Sequence, residues 1–190
     1  MQNTCRFDVK GLNTEQMRMI QRAQQGFHCS EILLFAGLEA QGKTNPDLIK
    51  AVSALAGGVG FSGEACGALT GGACLMGLYA GGGSEDEETY ERFNFMINEL
   101  VDWFSEKYGQ EYGGIRCSEI TEDNPALSPQ RCPRIVAGVL KRTKEILQEN
   151  GIPWEQEPFS PGREPEIVGD QVLTTIDAPQ SACPCSAGAR

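Results

Sequence analysis

The stretch Gly63-Glu64-Ala65-Cys66-Gly67-Ala68-Leu69-Thr70-Gly71-Gly72 constrains this chain more than any other. It sets one thiol among residues with little or no side chain, so that backbone from another element, or a bound group, can come close to the sulfur. Residues 57–83 hold 11 of the chain's 23 glycines. The first part, Gly57 to Gly63, reads as loop. From Glu64 to Tyr79 the small residues predict a closely packed central helix, despite a propensity cost of about 1 kcal/mol for each interior glycine.

The rest of the pattern is helical. Asn13 with Gln16 caps a first helix running to about Gln25, and Gly26 ends it. A second helix starts near Cys29-Ser30, carries Ile32, Leu33, Phe35 and Leu38, and stops before Gly42. Asn45-Pro46 opens a third, with Ile49, Val52, Leu55 and Ala56 on its apolar side. Ser84 with Glu87 makes a capping box for a fifth, carrying Phe93, Met96, Leu100 and Phe104 and ending at Gly109. The last begins with Pro133 at its first position and ends at Gly151. These elements predict an all-α fold: a compact bundle of five or six helices around the Gly/Ala-rich central helix, spanning residues 1–151. Six of the ten prolines follow residue 152, so residues 152–190 read as an irregular Pro-rich arm, extended or partly disordered.

Several function classes drop out. A net charge of −10 argues against nucleic acid and anionic membrane surfaces as partners. The chain has no GxxxxGK[ST] loop, no GxSxG elbow and no CxxCH, which leaves no expected nucleotide and no haem. Ala65 to Ser84 is uncharged and roughly as long as a membrane span, but its seven glycines make insertion weakly driven. The N-terminus lacks the basic start and apolar run of a secretory signal, so a cytoplasmic location is expected. Thiols are normally reduced there, and eight cysteines then point to metal binding or redox chemistry rather than structural disulfides.

The helix boundaries put Cys29, Cys66 and Cys132 at or near helix N-termini, where unpaired amides and the helix dipole stabilise a thiolate. Cys117 follows Arg116 and can open a short helical turn. Arg116 and Arg131 would lower the pKa of the neighbouring thiols if their side chains fold back. Cys74 lies two helical turns after Cys66, about 12 Å away, and reads as packing. Cys5 is isolated. Cys183-Pro184-Cys185 is a CxC pair in the arm. His28 precedes Cys29 and reads as a partly exposed cap residue.

With those residues in place, the sequence resembles the redox-active protein family named for its C-GCAxxG-C-C pattern. Here the elements are Cys29, then Cys66-Gly67-Ala68-Leu69-Thr70-Gly71 with the first two letters of the middle element reversed, then Cys117 and Cys132. The resemblance covers about Phe27 to Leu147. It implies a redox-active cysteine protein typical of anaerobic bacteria and archaea. The chain is also similar to the non-haem part of split-Soret cytochromes, which carry an iron–sulfur centre on cysteines. Carried over by position, Cys29, Cys66, Cys117 and Cys132 become the candidate redox thiols or ligands of an iron–sulfur cluster or metal, with Cys74, Cys183 and Cys185 as lesser candidates.

Three functions remain open on the sequence: a cluster or metal held by four thiolates, a thiol–disulfide exchange protein, and a helical binding or scaffold protein. The first matches the all-thiolate shell of such centres. The missing CxxC weakens the second. The redox partner protein is not identified, and a homodimer is compatible with the sequence.

Overall fold

Residues 13–85 and 88–155 are described by the computed structural model. The elements are α1 (Thr14–Gln24), α2 (Cys29–Ala40), α3 (Pro46–Ser53), α4 (Gly67–Ala80), α5 (Phe93–Phe104), a π-helical turn (Ser105–Gly109), α6 (Gln110–Tyr112), α7 (Cys117–Thr121) and α8 (Ser128–Glu149). No strand occurs among the described residues; a single antiparallel bridge joins Ala65 to Arg116. The fold is all-α, as the sequence predicts.

Helix α4 lies at the centre and packs against α2, α5 and α8. Its small residues make this possible. A Cβ on Gly71 would come within 2.7 Å of the Ser30 Cα on α2, and one on Gly72 would sit 2.5 Å from a Val139 methyl on α8. Leu33, Leu34, Leu75, Met76, Leu100, Phe104, Val139 and Ile146 fill the core between these helices. Among the described residues, no helix is long and apolar enough to cross a membrane.

The caps of α1 and α3 follow the sequence closely. The Asn13 side chain accepts from the Gln16 amide at 2.8 Å, and the Asn13 amide donates to the Gln16 side chain in return. The Asn45 side chain accepts from the Leu48 amide, with Pro46 in the first turn. Helix α3 ends at Ser53, so Leu55 and Ala56 belong to the turn beyond it.

Two boundaries differ from the sequence reading. Helix α5 starts at Phe93, not near Ser84, because Thr89 and Tyr90 are tied back to the end of α4. The Thr89 hydroxyl accepts from the Gly82 amide, and the Tyr90 amide donates to the Ala80 carbonyl. Glu87, the expected capping partner, lies outside the described residues. The helical path also runs past Gly109, through the π turn and α6, to Gly113, where φ is +82°.

Helix α8 starts at Ser128, with Pro129 in its first turn and Pro133 inside it. The 3-10 turn Pro125–Leu127, capped by the Asn124 side chain, feeds straight into the helix and nucleates it early. Pro133 then leaves the carbonyl four residues before it without a donor. At the far end, Ile152 and Trp154 still pack against the core. Residues 156–190 of the expected arm lie outside the described residues.

Candidate functional site: four cysteines around a left-handed turn

Between α3 and α4 the chain makes a turn of unusual hand. Gly57, Gly58, Val59, Gly60 and Phe61 all have φ between +62° and +75°. Glycine adopts this region freely, but valine and phenylalanine do not, and a β-branched residue there carries strain of order 1–3 kcal/mol. Backbone hydrogen bonds hold the turn closed, among them Gly60 amide to Ala54 carbonyl at 2.7 Å and Phe61 amide to Ala56 carbonyl at 3.0 Å.

Three of the cysteines are fixed by this turn and the segments it touches. Cys66 caps the N-terminus of α4, and its amide donates to the Ile115 carbonyl at 3.0 Å. Cys117 opens α7, and its amide donates to the Glu64 carbonyl at 2.7 Å. The two cysteines therefore flank one short antiparallel pairing, Ala65 with Arg116. Cys29 opens α2, and its sulfur lies against Gly67: a Cβ there would be 2.6 Å from the Cys29 Sγ. A Cβ on Gly58 would be 2.8 Å from the Cys117 Cβ. Glycine is thus required where the turn and α4 approach the sulfurs.

Cys132 arrives differently. It sits at the fifth residue of α8, not at a helix start, because α8 begins at Ser128. The Ser128 hydroxyl, one turn back, hydrogen-bonds its sulfur. Three of the four candidate thiols still stand at helix starts, but they are Cys29, Cys66 and Cys117.

The electrostatics reverse one expectation. Burial pushes the Cys66 thiol up to about 12 and Cys132 up to about 11, and raises Cys29 and Cys117 as well. At Cys66, amides of Ala68 and Leu69 at the start of α4 pull the pKa down, and at Cys29 the amides of Gly57 and Ser30 do the same. Desolvation outweighs them, because a thiolate loses more on leaving water than two amides return. The sulfurs also act on one another: Cys29 and Cys117 raise Cys66 and Cys132, and Cys29 raises Cys117. The other three thus lie within electrostatic reach of a common neighbour, Cys29.

The arginines beside these cysteines face elsewhere. Arg116 pairs with Glu64 at 3.2 Å, both side chains more than half exposed. Arg131 donates to the Ile120 carbonyl and to Glu122, with its guanidinium over the Tyr112 ring. His28 is an exposed cap residue whose amide donates to Glu31 and whose ring stands edge-on to Phe61, 5.1 Å between centroids. Cys74 is partly buried on α4, raised by burial with no contribution from another cysteine. Cys5, Cys183 and Cys185 lie outside the described residues. The residues that sequence reasoning missed are Gly57 and Ser128. Ser128 was legible in part, since Ser-Pro four residues before Cys132 is a helix-start signal at helical spacing.

Cys29, Cys117 and Cys132 line one cavity of about 940 Å³ between α1, α2, the left-handed turn, α7 and α8; Cys66 lies behind them, almost fully buried. All five cysteines among the described residues are free thiols, and among those residues no three His, Cys, Asp or Glu side chains gather around a single ion. Partly buried sulfurs that share a cavity can be oxidised in pairs, or can surround a group broader than one ion.

A search of curated proteins found no match, and a search of solved structures found none. A family model described as "Putative redox-active protein (C_GCAxxG_C_C)" matches residues 27–146, which contain all four of these cysteines and the left-handed turn. The chain belongs to the C_GCAxxG_C_C family of redox-active proteins.

Proposed function

We propose that Cys29, Cys66, Cys117 and Cys132 form one redox centre whose thiolates hold a small iron–sulfur cluster. The observation that carries this reading is the mutual electrostatic penalty among buried sulfurs: Cys29 and Cys117 each raise Cys66 and Cys132. One buried and three partly buried thiols that raise one another in this way favour the neutral form, unless a cationic group compensates the charge of the thiolates. Iron bound to thiolates provides that compensation.

The donor set suits a cluster better than a single ion. It consists of thiols alone, the usual ligands of such centres. When bound, it would supply one-electron transfer. The chain's own part is to hold the ligands: Gly57 and Ser30 amides at Cys29, Ala68 and Leu69 amides at Cys66, the Ser128 hydroxyl at Cys132. Hydrogen bonds to sulfur tune the potential of such a centre.

Thiol–disulfide exchange is the second reading, favoured by the free state of the thiols and their shared cavity. In that chemistry two thiols lose two protons and two electrons to an acceptor and form one S–S bond.

The test is iron and sulfide content together with the visible spectrum of protein purified without air, and again after anaerobic reconstitution. Bound iron with broad visible absorption, lost in Cys29→Ser, Cys66→Ser, Cys117→Ser and Cys132→Ser but kept in Cys74→Ser and Cys5→Ser, supports the cluster. Protein that stays colourless and iron-free after reconstitution rejects it. A reversible disulfide between two of the four cysteines, mapped by peptide analysis, would then put exchange in its place.

A further inference from the structure

We infer that the cavity in front of Cys29, Cys117 and Cys132 is a binding site for a neutral, apolar, ring-sized small molecule. This deepens the proposed redox function, since it names the class of compound that meets the sulfurs.

The volume of about 940 Å³ falls within the range of small-molecule sites, roughly 300–1,000 Å³. Its walls are apolar and aromatic where they are deepest. Ile32 and Val136 are buried core residues, and Phe27, Met19 and Ile20 on or beside α1 are partly buried. Pro125, Pro129 and Pro133 add rigid apolar surface on the side of α8. At the rim stands Phe61, 68% exposed, with its ring against His28. The left-handed turn holds that large side chain in the open, in a conformation which phenylalanine disfavours.

Charge selects the ligand class. Asp123 and Arg134 are the acidic and basic side chains in the lining, and Arg134 is already engaged by Glu111 and Tyr112. No uncommitted Lys or Arg is present there to hold a phosphate or carboxylate, so an anionic ligand would lose its hydration without return. Gln16, Gln24, His28, Ser118, Thr121 and Ser128 are the other polar residues of the lining; the hydroxyls of Ser118 and Thr121 are bonded to the Gly63 and Cys117 carbonyls, and the Gln16 side-chain oxygen accepts from the Asn13 amide. A neutral ring compound needs none of them.

The probe of choice is N-phenyl-1-naphthylamine, which is neutral and fluoresces when it leaves water. Titration uses the full chain, iron-free and reduced, so that the result does not depend on any cluster. Saturable binding of one probe per chain is expected, and binding should slow alkylation of Cys132 by N-ethylmaleimide. Ala137→Trp and Ala23→Trp each place an indole in the cavity and should weaken binding by about tenfold or more. Ala23 is exposed on α1, so its variant remains informative if Ala137→Trp fails to fold. The anionic analogue 1-naphthyl phosphate should not compete.

Binding that is unchanged in a folded variant, or that leaves Cys132 alkylation unaffected, overturns the assignment. So does competition by the phosphate, and so does binding that appears only after residues 1–12 are removed or only in the monomer. Those last outcomes would make the chain's own N-terminus, or a second copy, the occupant. Protein that binds the probe but takes up no iron on reconstitution rejects the cluster alone; protein that can be loaded with a cluster but does not bind the probe when iron-free rejects this site alone.

Discussion

Gly67 presses against Cys29: a Cβ at position 67 would fall 2.6 Å from the Cys29 sulfur and 2.7 Å from the Leu55 carbonyl oxygen. The sulfur side chain can rotate away, but the carbonyl belongs to the backbone that leads into the left-handed turn and cannot. The second residue of this chain's Cys-Gly-Ala element is therefore fixed by space at the sulfur, not by flexibility.

Gly67→Ala should accordingly destabilise the protein by about 1–3 kcal/mol through overpacking, even though alanine favours a helix by up to about 1 kcal/mol. Thermal or denaturant melting reads the loss. A melt equal to or better than the parent would mean that Leu55 and Cys29 move aside freely.

Val59 sits in the left-handed region at φ +62° with 48% of its surface exposed. Replacing it with glycine removes a steric penalty of about 1–2 kcal/mol and gives up little buried surface. Val59→Gly should raise stability by roughly 1 kcal/mol after the entropy lost by the more flexible unfolded chain is subtracted. Gly58→Ala should do the reverse, because its Cβ would meet the Glu64 amide nitrogen at 2.6 Å and the Cys117 Cβ at 2.8 Å. Paired melts of the two variants check both directions. Destabilisation by Val59→Gly would show that Val59 contributes packing that outweighs its strain.

The raised thiols predict a pH dependence with a definite sign. Cys66 and Cys132 move from 9.0 in the unfolded chain to about 12 and about 11 in the fold. The folded state therefore holds the protons more tightly, and the stability linked to them is complete below pH 9.0. It falls as pH rises from there through the folded values. Metal-free, reduced protein should lose stability across this alkaline window, and Cys66→Ala should flatten the loss. A stability curve that is flat from neutral pH to pH 11 would mean that the sulfurs are ionised or hydrated in the fold. Alkylation of Cys132 should likewise stay slow until pH approaches the same value.

Much of the scaffold was legible because short-range chemistry decides it. Asn13 with Gln16 and Asn45 with Pro46 mark helix starts through their own hydrogen bonds, and no distant residue competes. Ser84 failed as a start because Thr89 and Tyr90 bond back to α4, a contact between elements that no local pattern records. The glycines of residues 57–63 announced a loop, but not that Val59 and Phe61 would join them in the left-handed region. The four cysteines were picked out by the family pattern and by helix-start signals. Their ionisation was misread, since the dipole at a helix start is local and visible while burial depends on everything packed around it.

The segment that follows α8 gives the last prediction. Trp154 stacks on Tyr79 at 5.1 Å and 9° between planes, its carbonyl accepts from the Tyr79 hydroxyl at 2.8 Å, and Lys144 lies over its ring. Ile152 packs beside it, with its amide donating to the Leu147 carbonyl. These contacts fasten the segment after α8 to the C-terminal end of α4, the helix whose N-terminus carries Cys66. A chain ended after Gly151 should lose about 2 kcal/mol or more relative to one ended after Glu155, from the lost aromatic pair and the exposed apolar surface. Trp154→Ala in the full-length chain should reproduce most of that loss. Equal denaturation midpoints for the two truncations would show that residues 152–155 merely rest on the core and that the domain ends where α8 does.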